Sequence, residues 1–404
     1  MTIGLRHLRV FLAVADQGSA TRASVSLFRA QSAITRSIHA LESELGVPLF
    51  ERRSKGMLIT HYGEPLLLRA KRASEELDQA RRELARMPGS AAMIRGAPVF
   101  SMQVSEQRLR AFIALTELHH MPTVADQFGI TQPAVSAAVR ELEASLGLRL
   151  FERTPKGMLP SVHGEVLALH VKRALAELRH AQDEIASLRG NTQGTVTVGA
   201  LPLGRTLILP RAIARVVSRH PGLRVATVEG PFATLVAALR SGDVDFILGA
   251  LRPPEYATDL VGEPLLAEAL AIVARADHPL FDKPRTTLRA VAREAWVLPR
   301  PGTPTRDLVE ALFARRRIST PDVRVETSDL AVLRGVLLES DLVTAISARQ
   351  LDHEFRAGLL KALSIALPET SRLIGLTRRS ASVPSPGATL LMDEIRAIAS
   401  DLDR

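Results

Sequence analysis

The polar residues with the most regular spacing in this 404-residue chain are of types that hydrogen-bond to nucleic-acid bases and phosphates. Gln31, Ser32, Thr35 and Arg36 lie within six positions of one another, which is less than two turns of a helix. Amide, hydroxyl and guanidinium groups near the start of a helix match the hydrogen-bonding edges of bases in the DNA major groove. The set therefore indicates recognition of nucleic acid.

Motifs typical of catalysis are absent from the sequence. It contains no His-Glu-x-x-His pattern, no Walker loop, no nucleophile elbow and no dinucleotide-binding glycine fingerprint. The chain has no cysteine, which excludes thiol catalysis and thiolate metal sites, and its 11 histidines are scattered without metal-ligand spacing. We expect no catalytic residue, no metal site and no cofactor, and we interpret the chain as a protein other than an enzyme.

The composition agrees with a DNA partner. Lys and Arg number 52 against 43 Asp and Glu, a net charge of +9, and a basic excess favours polyanions. No apolar run approaches the roughly 18 residues of a membrane span, and the N-terminus lacks the pattern of a signal peptide. We therefore expect a cytoplasmic protein without membrane contact.

The first half of the chain contains one domain twice. The segment 41–58 (LESELGVPLFERRSKGML) matches the segment 142–159 (LEASLGLRLFERTPKGML), an offset of 101 residues that holds without a gap from Leu8 onward. Two copies are too few for a stacked-repeat protein. Each copy has the pattern of three short helices, of which the third carries the polar set, followed by a two-stranded wing that turns at Gly56 or Gly157.

Each copy resembles the reading head of LysR-type transcription regulators, on the pattern helix, Gln-x-Ala-hydrophobic-Ser/Thr, then LExxLGxxLFER. The resemblance implies a winged helix-turn-helix reader, a linker helix and an effector-binding domain, normally with one reader per chain. Residues with the types and positions for DNA contact are Thr21, Arg22, Gln31, Ser32, Thr35, Arg36, Arg52, Arg53, Lys55, Gln132, Pro133, Ser136, Arg153 and Lys156. We expect weaker contact from copy two, since Ala137 replaces the arginine at position 36.

A long helix with apolar residues at alternating steps of four and three follows each wing. The seams run from Leu66 to Leu84 and from Leu167 to Leu188, and a heptad seam requires a partner helix. In the family these helices pair between two chains as oligomers form. Here both seams lie in one chain, so intrachain pairing and interchain pairing, giving a dimer or tetramer, are both open.

The C-terminal part alternates β-branched runs with helical stretches, which predicts repeated βαβ units and mostly parallel sheets. The fold class we predict is two α-rich winged helix-turn-helix domains with long linker helices, then a two-lobed α/β domain of periplasmic-binding-protein type. The predicted boundaries are copy one 1–62, linker 63–87, connector 88–105, copy two 106–162, linker 163–190 and effector domain 194–404. By resemblance, lobe one comprises 194–268 and 371–404, and lobe two comprises 269–370.

Ligands of such sheets bind at the carboxyl ends of strands, which makes the strand-to-helix loops candidates for the effector site. The predicted effector-binding residues are Pro202, Leu203, Arg205, Thr206, Gly230, Phe232, Arg252, Arg300, Thr303 and Asp329. Arg252 and Arg300 would pair with an acid, and Phe232 would pack on a ring or a sugar face. Local similarity to the subgroup of galactose-binding-protein and protocatechuate regulators implies a sugar or an aromatic or organic acid.

The sequence therefore predicts a LysR-type regulator that binds double-stranded operator DNA, a small-molecule effector and RNA polymerase. Two other classes of protein are each compatible with part of the sequence. A solute-binding protein would share the two lobes but not the doubled reader, and a DNA-architectural protein would have no use for a sensor half.

Overall fold

The first half of the protein repeats one order of elements: three short helices, an antiparallel hairpin and a long helix. The computed structural model describes residues 4–53, 56–89 and 92–403, so Lys55 lies outside it. The first set is α1 (Leu5–Gln17), α2 (Ala20–Ser26), α3 (Gln31–Leu45), β1 (Phe50–Arg53), β2 (Gly56–Ile59) and α4 (Gly63–Arg86). The second set is α5 (Glu106–Leu118), α6 (Met121–Phe128), α7 (Gln132–Leu146), β3 (Phe151–Thr154), β4 (Gly157–Pro160) and α8 (Val162–Leu188).

The third helix of each set buries one apolar face and leaves its N-terminal end exposed. Ile34, Ile38 and Leu41 of α3 are buried, as are the matching residues of α7. Thr131 caps α7 by accepting a hydrogen bond from the backbone N–H of Ala134. Ala134 itself is exposed, because it lies in the first turn of α7, ahead of the buried face.

The two long helices α4 and α8 pack antiparallel against each other within the chain. Their contacts pair Arg69 with Glu184 and Glu83 with His170, so residue numbers rise on one helix as they fall on the other. The seam of α4 from Leu66 to Leu84 is fully buried. The seam of α8 is buried except at its predicted last member, Leu188, which is 51% exposed because it ends the helix level with the start of α4.

The segment between the two sets is part of the same core. A short 3-10 turn at Ala92–Gly96 buries Ile94, and the chain that follows it buries Val99, Met102 and Val104. These side chains belong to one apolar cluster with α1, α3 and α4 of the first set and α5, α7 and α8 of the second. The connector therefore packs both sets into a continuous core.

The second half contains two α/β lobes. Its elements are β5 (Gly194–Ala200), α9 (Pro202–Arg205), α10 (Ile208–Arg219), β6 (Leu223–Val228), α11 (Phe232–Ser241), β7 (Phe246–Ala250), β8 (Leu260–Glu268), β9 (Leu270–Arg275), α12 (Leu288–Val291), β10 (Ala295–Leu298), α13 (Pro304–Arg315), β11 (Asp322–Glu326), α14 (Leu330–Leu338), β12 (Thr344–Ser347), α15 (Asp352–Arg356), β13 (Leu360–Ala362), β14 (Arg372–Arg379) and α16 (Pro386–Asp403). The chain passes from lobe one to lobe two between β8 and β9 and returns through β14.

The sheets are mixed, which corrects the prediction of mostly parallel strands. The five-stranded sheet has the order β6-β5-β7-β14-β8; β5 is parallel to β6 and β7, whereas β14 is antiparallel to β7 and β8. In lobe two, β9 is antiparallel to β12 and β13, and β10 is parallel to β11. In lobe one the antiparallel pairs arise because β14 re-enters from the other lobe and not through a βαβ crossover.

No helix in the described ranges is both long and apolar enough to cross a membrane.

Candidate DNA-reading grooves and effector cleft

A groove of about 480 Å³ separates the third helix of the first set from its wing. Five residues predicted to contact DNA line it: Thr21, Gln31, Thr35, Arg52 and Arg53. The predicted residues Arg22, Ser32 and Arg36 are exposed but do not line this groove. Sequence analysis missed Ser19 and His39, which do.

The wing is held against the C-terminal end of α1 by a backbone hydrogen bond. The N–H of Met57 donates to the carbonyl oxygen of Gly18 at 2.9 Å. A Cβ on Gly56 would lie 2.4 Å from that oxygen, so only glycine allows this approach. The second set repeats the contact between Met158 and His119, with Gly157 at the corresponding close approach.

A glutamate in each third helix fixes the other end of the wing. Oε1 of Glu42 accepts hydrogen bonds from the backbone N–H groups of Leu49 and Phe50 at 2.8 and 3.3 Å. Glu143 does the same for Leu150 and Phe151 at the same distances. This role explains why glutamate follows leucine in both copies of the LExxLG pattern, and the repeat was the signal that could have revealed it.

The groove of the second set is larger, about 1420 Å³. All five residues predicted in that copy line it: Gln132, Pro133, Ser136, Arg153 and Lys156. The residues that sequence analysis missed are His119, His120, Arg140 and Arg149. The copy predicted to be the weaker reader therefore has four cationic side chains along its groove.

The two reading helices differ in where they carry a cation. Arg36 of α3 corresponds to Ala137 of α7, whereas His39 corresponds to Arg140, each 101 residues apart. His39 and Arg140 line the grooves, and Arg36 does not. The loss of the arginine at 137 is thus accompanied by the gain of one at 140, almost one turn further along the helix.

Four predicted effector residues, Leu203, Phe232, Arg252 and Asp329, make contacts within the protein. Leu203 is buried in the core of lobe one. Phe232 is 8% exposed, and its ring is covered by Tyr256, at 5.3 Å between ring centroids, and by the guanidinium of Arg252 at 4.9 Å. Oδ1 of Asp329 caps α14 by accepting a hydrogen bond from the N–H of Val332 at 2.9 Å.

The other predicted effector residues differ in exposure. Pro202 and Arg300 are exposed, and Arg205, Gly230 and Thr303 are half-buried. Thr303 Oγ1 donates to the carbonyl of Arg300 at 2.8 Å, within their own loop. The hydroxyl of Thr206 is buried without a hydrogen-bond partner among the described atoms, and such a group favours a ligand that completes it.

Arg372, which sequence analysis missed, lies where the two lobes meet. It is the first residue of β14, and its Nη1 donates to Thr305 Oγ1 of α13, in the other lobe, at 3.3 Å. Burial lowers the pKa of this guanidinium; nearby Arg252 lowers it further, and Glu268 opposes the shift. Arg252 and Arg372 therefore carry like charges that interact at the boundary between the lobes, and an anion would stabilise such a pair.

Lobe one is joined to the α4–α8 pair by a buried ion network. The side chain of Arg69 is fully buried, and it binds Glu177 at 2.8 Å and also Glu184. Burial lowers the pKa of Arg69, but hydrogen bonds from its guanidinium to both carboxylates outweigh that effect and raise it. Arg69 also donates to the carbonyls of Val383 and Pro384, in the loop that follows β14.

Comparison with known proteins identifies both halves. The model of the LysR substrate binding domain matches residues 189–400. The model of the bacterial regulatory helix-turn-helix protein, lysR family, matches residues 5–64 and again residues 107–165. These matches define a class of protein with a DNA-binding head and a ligand-binding domain.

The chain belongs to the LysR family and is an effector-controlled, DNA-binding transcriptional regulator. It is 47% identical over 397 residues, 98% of each chain, to the transcriptional regulator GalR of Pseudomonas putida. It is 30% identical over 300 residues, 74% of this chain and 96% of the relative, to the transcriptional regulator PcaQ of Agrobacterium fabrum. These relatives are named as regulators, in agreement with the expectation that the chain is not an enzyme.

Solved structures show the same fold. A full-length OxyR variant from Pseudomonas aeruginosa covers 72% of this chain and 94% of its own, with a TM-score of 0.55 and 24% identity. Full-length CbnR complexed with its target DNA covers 72% and 98%, with a TM-score of 0.52 and 20% identity.

Proposed function

We propose that one chain of this regulator is a complete double reader, with two winged helix-turn-helix domains that bind two half-sites of one operator. The observation that carries the proposal is the intrachain packing of α4 on α8, which buries the seam from Leu66 to Leu84. A seam that is buried inside the chain does not need a linker helix from a second chain. Two chains joined through their sensor lobes would then present four readers.

Footprinting with matched groove variants tests this proposal. Copy one carries Gln31→Ala, Thr35→Ala and His39→Ala, and copy two carries Gln132→Ala, Ser136→Ala and Arg140→Ala. These side chains line the grooves and not the core, so folding is preserved. We expect each triple variant to lose protection of a different half-site within one complex. Full protection with the copy two variant would contradict the proposal.

We also propose an organic acid as the effector, bound between the lobes by Arg252 and Arg372. The support is that Arg372 hydrogen-bonds across the lobe boundary to Thr305 and interacts unfavourably with the like charge of Arg252. Thr305, in the first turn of α13, adds a hydroxyl and lies where a helix offers backbone N–H groups to anions. A neutral sugar would not neutralise this pair.

A thermal-shift screen of small acids and sugars tests the effector class. We expect one or more acids to raise the melting temperature of the protein, and Arg372→Gln to abolish the increase. Arg289→Gln, which removes an exposed charge in lobe two, is the control and should retain it. Stabilisation by sugars alone would contradict the acid assignment, and no stabilisation with intact DNA binding would favour an architectural protein.

The path from effector to reader that we propose runs along β14. This strand begins at Arg372 in the cleft and ends at Arg379, and the next loop binds Arg69 and Arg72 through carbonyl oxygens. Closure of the lobes around an acid would move this loop against the α4–α8 pair, changing the position of the readers and the bend of the DNA. RNA polymerase, in the bacterial cytoplasm, is the partner proposed to sense the change.

A further inference from the structure

A second cationic site lies on the first reader outside its groove. Arg6 and Arg9 of α1 and Arg29 of the turn before α3 line a cavity of about 260 Å³, together with Val10, Leu27 and Gln103. None of the lining residues is acidic. No ion pair links these three arginines to a carboxylate within the parts of the chain that the structure describes. Three like charges so arranged favour a polyanion.

The second reader does not repeat this cluster of unpaired arginines. At the corresponding positions, 101 residues later, Gln107 replaces Arg6 and Ile130 replaces Arg29. Arg110, which corresponds to Arg9, is neutralised by Glu106 at 2.6 Å. The cavity also depends on the connector, because the Nε of Arg6 donates to the carbonyl oxygen of Gln103 at 2.9 Å.

The position of the cavity indicates which polyanion it contacts. Arg29 precedes the exposed residues Gln31 and Ser32, and the turn that carries it projects outward, since Phe28 is 96% exposed. A recognition helix places its N-terminal residues in the major groove. The groups just before that end therefore lie beside the sugar–phosphate backbone.

We propose that Arg6, Arg9 and Arg29 bind backbone phosphates next to the half-site of the first reader. This inference rests on the proposed function and adds a contact to it. The first reader then contacts more backbone phosphates than the second. DNA binding by the second reader relies more on the residues that line its groove.

The salt dependence of DNA binding tests the proposal. The probe is a duplex whose sequence is identified by sequencing genomic DNA bound to the protein. Binding to it is measured at salt concentrations from about 50 to about 200 mM. For the variant Arg6→Gln, Arg9→Gln, Arg29→Gln we expect the slope of log Kd against log salt to fall by about 2 to 3. The single variant Arg29→Gln, in an exposed turn, should lower this slope by about 1. It still tests the proposal if the triple variant fails to fold.

The control removes the same charge elsewhere, with Arg285→Gln, Arg289→Gln and Arg293→Gln on the exposed surface of lobe two, and its slope should match the parent. An unchanged slope for both cluster variants would overturn the proposal. If the cluster variants bind DNA normally but lose transcriptional activity, the site binds an acidic protein surface. If inorganic phosphate stabilises the protein thermally while the slope is unchanged, the site binds free phosphate. Either result also overturns the proposal. If the parent protein binds no genomic DNA, the proposed function itself fails.

Discussion

Arg69 is the residue on which the α4–α8 interface depends most. Its guanidinium is fully buried and is matched by Glu177 and Glu184. Removal of one partner of a buried ion pair leaves an uncompensated charge, which costs about 3–5 kcal/mol. We expect Arg69→Met to lower the free energy of unfolding by about that amount in urea denaturation followed by circular dichroism.

Arg81→Ala on the same helix provides the comparison. Its pair with Asp78 is one helical turn away and about a third exposed, so its removal should cost less than about 1 kcal/mol. Equal losses in the two variants would show that the buried network does not hold the helices together.

The presence of His39 in one groove and of Arg140 at the corresponding position of the other predicts that the two readers prefer different bases. Arginine makes bidentate hydrogen bonds to the major-groove edge of guanine. Each such contact contributes about 1–3 kcal/mol of discrimination against other bases. We expect His39→Arg combined with Arg140→His to exchange the preferred bases of the two half-sites. Selection from a randomised operator library measures this, with the parent and each single variant as controls; an unchanged consensus would contradict it.

At the scale of elements, the last turns of α8 contain a carboxyl group with an unusual protonation equilibrium. Burial raises the pKa of Asp183 to about 6, with opposing contributions from His180 and Arg179 and reinforcing ones from Asp245 and Glu184. Because the pKa is raised on folding, the folded protein retains the proton that the unfolded chain releases. Stability therefore falls as pH rises from about 4 to about 6, and the loss persists above that range.

Asp183→Asn should remove this effect. We expect the variant to be more stable than the parent near neutral pH, by on the order of 2 kcal/mol, and equally stable near pH 4. Urea denaturation at a series of pH values measures the difference. If the free energies of unfolding of the parent and the variant differ by the same amount at every pH in that range, the raised pKa of Asp183 is contradicted.

The elements of the readers were largely predictable, whereas those of the effector cleft were not. Periodicity and the repeated LExxLGxxLFER pattern predict the helices and wings, because each depends on local contacts such as the hydrogen bonds from Glu42 to the wing. Arg372 was not predicted from the sequence because it begins a strand that returns from the other lobe. Its partner Thr305 is 67 residues away in sequence, and no local pattern records such a contact.

At the scale of the whole molecule, the shared core of the two readers fixes their separation. Val99 and Met102 of the connector are buried with residues of both copies. An operator with 5 extra base pairs between its half-sites rotates one of them by about half a turn. We therefore expect affinity for such an operator to fall to that of a single half-site in a mobility-shift assay.

An operator with 10 extra base pairs distinguishes a rigid double reader from a flexible one. This insertion restores the rotation but moves the half-sites about 34 Å further apart. Affinity should remain at the single half-site level. Recovery of full affinity would show that the readers move independently.

The amino-acid sequence by itself determined that the chain carries one reading domain twice, each with a heptad helix, ahead of an α/β sensor. These features follow from periodicity, capping and turn chemistry, which act over a few residues. Only the tertiary structure decided that the two heptad helices pair with each other, with Arg69 buried between them and lobe one. An apolar seam is equally satisfied by any complementary helix, so its pattern does not identify the partner. The buried connector and the ion pairs of Arg69 with Glu177 and Glu184, which lie 108 and 115 residues away, identify it as α8.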